Sequence, residues 1–257
     1  MGKIFHLLKA DWYKYLLEIL VITFGILGAY ALNNWNEYRK DREREDAILK
    51  QLQTEFQSNL DQLDEKIGIR DRMFKAAMSM LGYIDRPEDR RLDSINYHLA
   101  WTIPYATFDP IINDLASSGS LRIIESDSLK QLLSFWTSEI VQVTESEDVW
   151  TNLRNNQYVP FVIKHYQLRT MRNSAMKTNL MQSFLINQED RNAKYKITEF
   201  GETRHDADYN RLLDHPDYED HLVRLITNNR TTQQQSYILR QRIEEILSLI
   251  EHELVND

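Results

Sequence analysis

The apolar pattern is densest at residues 16–32, LLEILVITFGILGAYAL, where only Glu18 and Thr23 interrupt it. At roughly 1.5 Å per residue this run covers about 26 Å, close to the thickness of a bilayer core. Trp12, Tyr13 and Tyr15 precede it and Trp35 follows, aromatic residues that favour the lipid–water interface. The pattern therefore predicts a transmembrane helix over 16–35 behind a short N-terminal tail, 1–15. The polar residues Asn33, Asn34 and Asn36 stand where a leader peptidase needs small residues, so a retained anchor is expected rather than a cleaved leader.

Past Trp35 the sequence NEYRKDREREDA is almost wholly charged and reads as a solvated helical stalk. Apolar residues then fall at Leu49, Leu52, Phe56, Leu60, Leu63, Ile67, Phe74, Ala77 and Leu81. Steps of three and four, with one gap at Arg70, make a single stripe on a long amphipathic helix. Gly82 and Pro87 are expected to end it, so stalk and helix together occupy 36–86.

The remainder, 87–257, reads as a helical bundle. Leu92 to Trp101 predicts a helix, and Asp109-Pro110 predicts the start of another that stops at Gly119. Ser126 or Asp127 should cap a third, with Leu129, Leu132, Leu133, Trp136, Ile140, Val143, Trp150 and Leu153 inward, ended by Pro160. Residues 187–218 are polar and predict loops and short helices. Asp217 to Leu254 predicts the last long helix, with Leu222, Leu225, Ile226, Tyr237, Ile243, Ile246, Leu247, Ile250 and Leu254 inward. Its centre, Asn228 to Ser236, lacks apolar residues, so it either projects past the core or bonds polar partners inside it. The fold class expected is all-α: an N-terminal transmembrane helix, a charged helical stalk and a soluble helical bundle.

Composition narrows the function. Seven Gly and five Pro among 257 residues are too few for a turn-rich β architecture, and the absence of Cys removes disulfides, thiolate nucleophiles and thiolate metal sites. The net charge is −8. Lys3, Lys9 and Lys14 against Asp11 and Glu18 give residues 1–35 a charge of +1, which leaves −9 for the rest. An acidic soluble part argues against nucleic acid as a partner. Basic residues flank the span on both sides, Lys3, Lys9 and Lys14 before it and Arg39, Lys40, Arg42 and Arg44 after it, so the positive-inside comparison is nearly tied. A short lysine-bearing tail before a long acidic domain favours an N-terminus in the cytoplasm and the domain outside it.

Within the span, Glu18, Ile22, Gly25, Ala29, Asn33 and Asn36 share one helical face. Gly25 and Ala29 form a small-xxx-small pair that permits close helix approach. This face is expected to be a self-association seam, with a narrow pore as the alternative use. The plain alternative for Glu18 is that it snorkels to the interface beside Lys14. His205, His215 and His221 lie among several Asp, but their spacing does not place two ligands on one helix face, so solvated histidines in an acidic loop are expected rather than a metal site. Nucleophile elbows, phosphate loops, dinucleotide glycine motifs and zinc-protease motifs are missing, so neither catalysis nor a cofactor is expected.

The opening segment, with Glu18-Ile19-Leu20-Val21, Gly25-Ile26-Leu27 and Asn33-Asn34-Trp35-Asn36-Glu37, resembles an uncharacterised Gram-negative bacterial family of single-span membrane proteins with a helical domain of unknown function. Asn113-Asp114-Leu115 with Ser117-Ser118-Gly119 is similar to a weaker second motif of that family. The resemblance implies the inner membrane and the same architecture, and brings no activity. The function expected is a membrane-anchored, oligomeric interaction protein, a scaffold or sensor whose partners are the bilayer, itself and a further protein. The alternative is a small channel or transport component built around the span.

Overall fold

The computed structural model describes residues 2–111, 120–177, 200–201, 203–205 and 208–256. The segment 112–119 and most of 187–207 lie outside them, so most of the helix expected to stop at Gly119, the second family motif and half of the polar stretch fall outside the described residues. Every regular element among the described residues is helical: α1 (Gly2–Asp85), α2 (Leu92–Thr102), α3 (Asp127–Leu153), α4 (Val159–His165), α5 (Leu168–Lys177), α6 (Tyr209–Leu213) and α7 (Pro216–Asn256).

Tail, span, stalk and amphipathic stripe are one unbroken helix of 84 residues. No Pro and no Gly pair falls between Ala29 and Asp85 to break it. From Glu45 onward α1 belongs to the bundle: Leu49, Leu52, Phe56, Leu63 and Ile67 are buried. The stripe then widens, because Ile69, Met73, Ala76 and Met80 are also buried where α2 covers a second side of the helix. The long α7 packs along both α1 and α3 and contributes Leu239, Ile243, Ile246 and Ile250 to one core cluster. A second cluster is built where α2 covers the end of α1 and α5 packs on α2, around Leu99, Trp101, Tyr158, Met171 and Tyr218. Trp136 and Trp150 are both core residues, as their spacing predicts, with Trp136 against Phe56 at 4.9 Å between ring centres.

Three expectations are corrected. Pro160 does not end the third helix. A five-residue π turn, Arg154–Tyr158, carries the chain on into α4, with Val159 N–H donating to the Arg154 carbonyl. The wider turn accommodates a proline that has no N–H and whose ring would crowd the carbonyl four residues back. Tyr237 is not inward but 46% exposed, and Leu239 takes the buried position. Asp109, Pro110 and Ile111 are not helical. They belong to a chain segment, 103–111, whose backbone is held by side chains as if by a neighbouring strand. Asn59 accepts from Ile111 N–H and donates to Ile111 O at 2.8 and 3.0 Å, and Gln62 does the same for Asp109 at 2.8 and 2.9 Å. Trp150 Nε1 donates to Pro104 O and Arg154 Nε to Ile103 O. Amides at positions 59 and 62 on one helix face thus satisfy backbone groups that no helix or sheet supplies.

A candidate functional site: a buried ion pair below an open cleft

Arg70, the gap in the α1 stripe, is 2% exposed. Its Nη1 meets Glu147 Oε1 of α3 at 2.6 Å and also donates to Ala106 O at 3.1 Å. Nη2 donates to Ser236 Oγ at 2.5 Å and Nε to Gln233 Oε1 at 3.1 Å, both on α7. The second carboxylate oxygen of Glu147 accepts from Phe108 N–H at 2.8 Å. The polar centre of α7 therefore does not project past the core: Asn229, Thr232 and Ser236 are buried, Ser236 and Gln233 join this network, and Asn229 and Thr232 donate to carbonyls one turn back on α7. Burial pushes the Arg70 pKa down and the Glu147 pKa up, against the opposing pull of each on the other. Desolvation thus disfavours both charges, and mutual attraction with the surrounding hydrogen bonds keeps them inside.

Above Arg70, α1 and α7 leave a cleft of about 270 Å³ open to solvent. Its walls carry Asp71, Phe74, Asn229, Arg230, Gln233, Gln234 and Tyr237. The Arg230 guanidinium lies over the Phe74 ring, 5.8 Å from its centre. Gln233 Nε2 faces three acceptors, Ile67 O at 3.2 Å, Asp71 Oδ1 at 3.1 Å and the Tyr237 hydroxyl at 3.4 Å. A side-chain amide has two N–H groups, so it cannot serve all three at once.

The residues singled out in the span lie far from this cleft. The segment Trp12–Leu32 is exposed throughout, with Leu17 65%, Phe24 71% and Leu32 67% exposed, and its apolar window buries nothing against the other described residues. It is the one helix among the described residues long and apolar enough to cross a membrane. A Cβ placed on Gly25 or Gly28 meets nothing within 4 Å. Glu18, Ile22, Gly25, Ala29 and Asn33 do fall on one face, and Asn33 Nδ2 donates to Glu37 Oε1 at 3.1 Å. Trp12, Tyr13, Tyr15 and Trp35 are half or more exposed, with Arg39 over the Trp35 ring at 5.6 Å. The 23 residue-to-residue rises from Trp12 to Trp35 correspond to about 34 Å of helix, enough to place both girdles at bilayer interfaces.

His215 and His221 depart from the solvated arrangement expected of them. His215 and His221 pack on Phe161 at 5.0 and 4.8 Å, and His165 joins them 4.5 Å from His215. Burial pushes the His165 and His221 pKa values down, helped at His165 by the neighbouring His215 and at His221 by Arg224. His215 Nδ1 accepts from Asp217 N–H at 3.2 Å and so caps the first turn of α7. His205 is exposed and takes no part. Among the described residues no three His, Asp or Glu side chains are grouped as metal ligands. Comparison with known proteins gives no match to a family model, to a curated protein or to a solved structure.

Proposed function

We propose that the protein is a membrane-anchored, self-associating interaction protein of the bacterial inner membrane, a scaffold or sensor whose acidic bundle lies outside the cytoplasm and meets a further protein. The observation that carries this reading is the continuity of α1, one helix from the apolar span into the core of the bundle. Whatever tilts or rotates the span turns Leu49, Leu63 and Arg70 with it. At about 100° per residue, the face of Glu18, Ile22, Gly25, Ala29 and Asn33 lies on the order of 160° around the helix from the face of Glu45, Leu49, Leu52 and Phe56. A second copy reaching the seam therefore approaches α1 on the side away from Glu45, Leu49, Leu52 and Phe56.

Glycine inside a helix costs about 1 kcal/mol relative to alanine. Among the described residues nothing lies within 4 Å of a Cβ placed on Gly25, and close approach of another helix is what its missing side chain permits. Gly25→Leu and Ala29→Leu are expected to lower the cross-linked oligomer fraction of membrane-embedded protein several-fold, whereas Leu20→Ala on another face leaves it unchanged. Equal assembly of all three variants counts against the seam.

The orientation has its own test. Glu45 is 1% exposed and accepts from Glu125 N–H, so it is a poor labelling position, whereas the Glu43 side chain is 69% exposed. With no native thiol to compete, Glu43→Cys is expected to react with a membrane-impermeant maleimide once the outer membrane is permeabilised. Protection until the inner membrane is lysed reverses the orientation.

A further inference from the structure

We propose that the cleft between α1 and α7 binds a free α-amino acid with an apolar side chain, recognised as a zwitterion. This goes beyond the anchoring role and holds whether or not the span self-associates. The cleft presents one charge of each sign on opposite helices, Asp71 on α1 and Arg230 on α7, and no ion pair joins them. Paired charges facing one cleft would neutralise each other and leave nothing to recognise; held apart, they accept complementary charges of a ligand. A purely anionic ligand meets the Asp71 carboxylate, and a purely cationic one meets Arg230. A molecule carrying both charges satisfies both walls.

The hydrogen bonding makes the assignment of ends. The Asp71 carboxylate takes one side-chain hydrogen bond among the described residues, from Gln233 Nε2 at 3.1 Å. Its other acceptor sites face the open cleft, and an ammonium group brings three donors. At the other end Arg230 has the planar fork of donors that matches a carboxylate, already oriented by the ring of Phe74 beneath it. Arg70 at the floor is a poorer partner for that carboxylate, because Glu147, Ala106, Ser236 and Gln233 take four of its five N–H donors and Glu147 balances its charge. The half-buried Phe74 and the exposed Tyr237 give the side chain an apolar wall. A cleft of about 270 Å³ accommodates a molecule of amino-acid size and not a nucleotide or long peptide.

Full-length protein in detergent micelles is titrated calorimetrically, and its melting followed, with each of the twenty standard amino acids. Phenethylamine and 3-phenylpropionate serve as singly charged analogues of phenylalanine. At least one apolar L-amino acid is expected to bind and, at a hundredfold excess over Kd, to raise the Tm by about 5–10 °C. Asp71→Asn and Arg230→Gln should each weaken that binding by about tenfold or more. Both positions are exposed, and the Asp71→Asn change keeps a side-chain oxygen for Gln233, so the variants should melt like wild type without ligand. Binding of none of the twenty overturns the proposal. So does binding of either singly charged analogue as tightly as phenylalanine when phenylalanine is the ligand, or unchanged affinity in both variants.

Discussion

Arg70→Met is expected to destabilise the bundle by about 3–5 kcal/mol, the largest effect of any single substitution in this chain. The change removes the charge that Glu147 meets at 2.6 Å and leaves a carboxylate in the core with Phe108 N–H as its remaining hydrogen-bond donor. It also releases Ala106 O and Ser236 Oγ from their donor. At 2% and 3% side-chain exposure, water does not replace what is lost. Arg70→Met combined with Glu147→Leu removes both charges and is expected to recover at most about half the loss. An apolar pair avoids the stranded charge, yet Phe108 N–H and Ala106 O still lack partners, at about 1–3 kcal/mol per unsatisfied group. Urea denaturation of wild type and the two variants measures this. A double variant no more stable than Arg70→Met alone contradicts the ion-pair explanation, and a wild-type-like Arg70→Met contradicts the network altogether.

Removing the span is expected to have the second large effect, and an all-or-none one. A chain of residues 36–257 keeps Glu45, Leu49 and every bundle contact of α1 but none of the apolar run Leu16–Leu32. Carbonate washing of membranes should leave the full chain in the pellet and release the shortened one. The span exposes Leu17, Ile19, Val21, Phe24 and Ile26 by 60% or more, and a continuous apolar surface of that size is not stable in water. Release of the full chain by the wash rules out the anchor.

Much of this architecture is legible in the sequence because periodicity reports burial. The α1 stripe from Leu49 to Ile67 and the α7 stripe from Leu222 to Ile250 follow from steps of three and four, and both are core. The span follows from length and apolarity alone. Pairings between distant positions are not legible, because spacing within a helix says nothing about which helix lies opposite. Yet a signal for the buried site is present. Arg70 interrupts the α1 stripe, Glu147 falls on the α3 stripe between Val143 and Trp150, and the amides of Asn228 to Ser236 interrupt that of α7. Three polar gaps in three amphipathic helices meet at one level of the bundle. The amide clamps of Asn59 and Gln62 leave no such trace, because a polar residue beside a stripe reads as solvated surface unless the loop it binds is known. The passage through Pro160 is hidden because proline usually stops a helix, and only a widened turn lets the chain continue.

One helix is proposed both to anchor the chain and to bring copies together through its span. The mass of the full-length protein in mild detergent, measured by light scattering beside that of residues 36–257, tests it most directly. An oligomer is expected for the full chain and a monomer for the shortened one, with Gly25→Leu shifting the full chain towards monomer. A monomeric full-length protein, or an oligomer of equal size without the span, contradicts it.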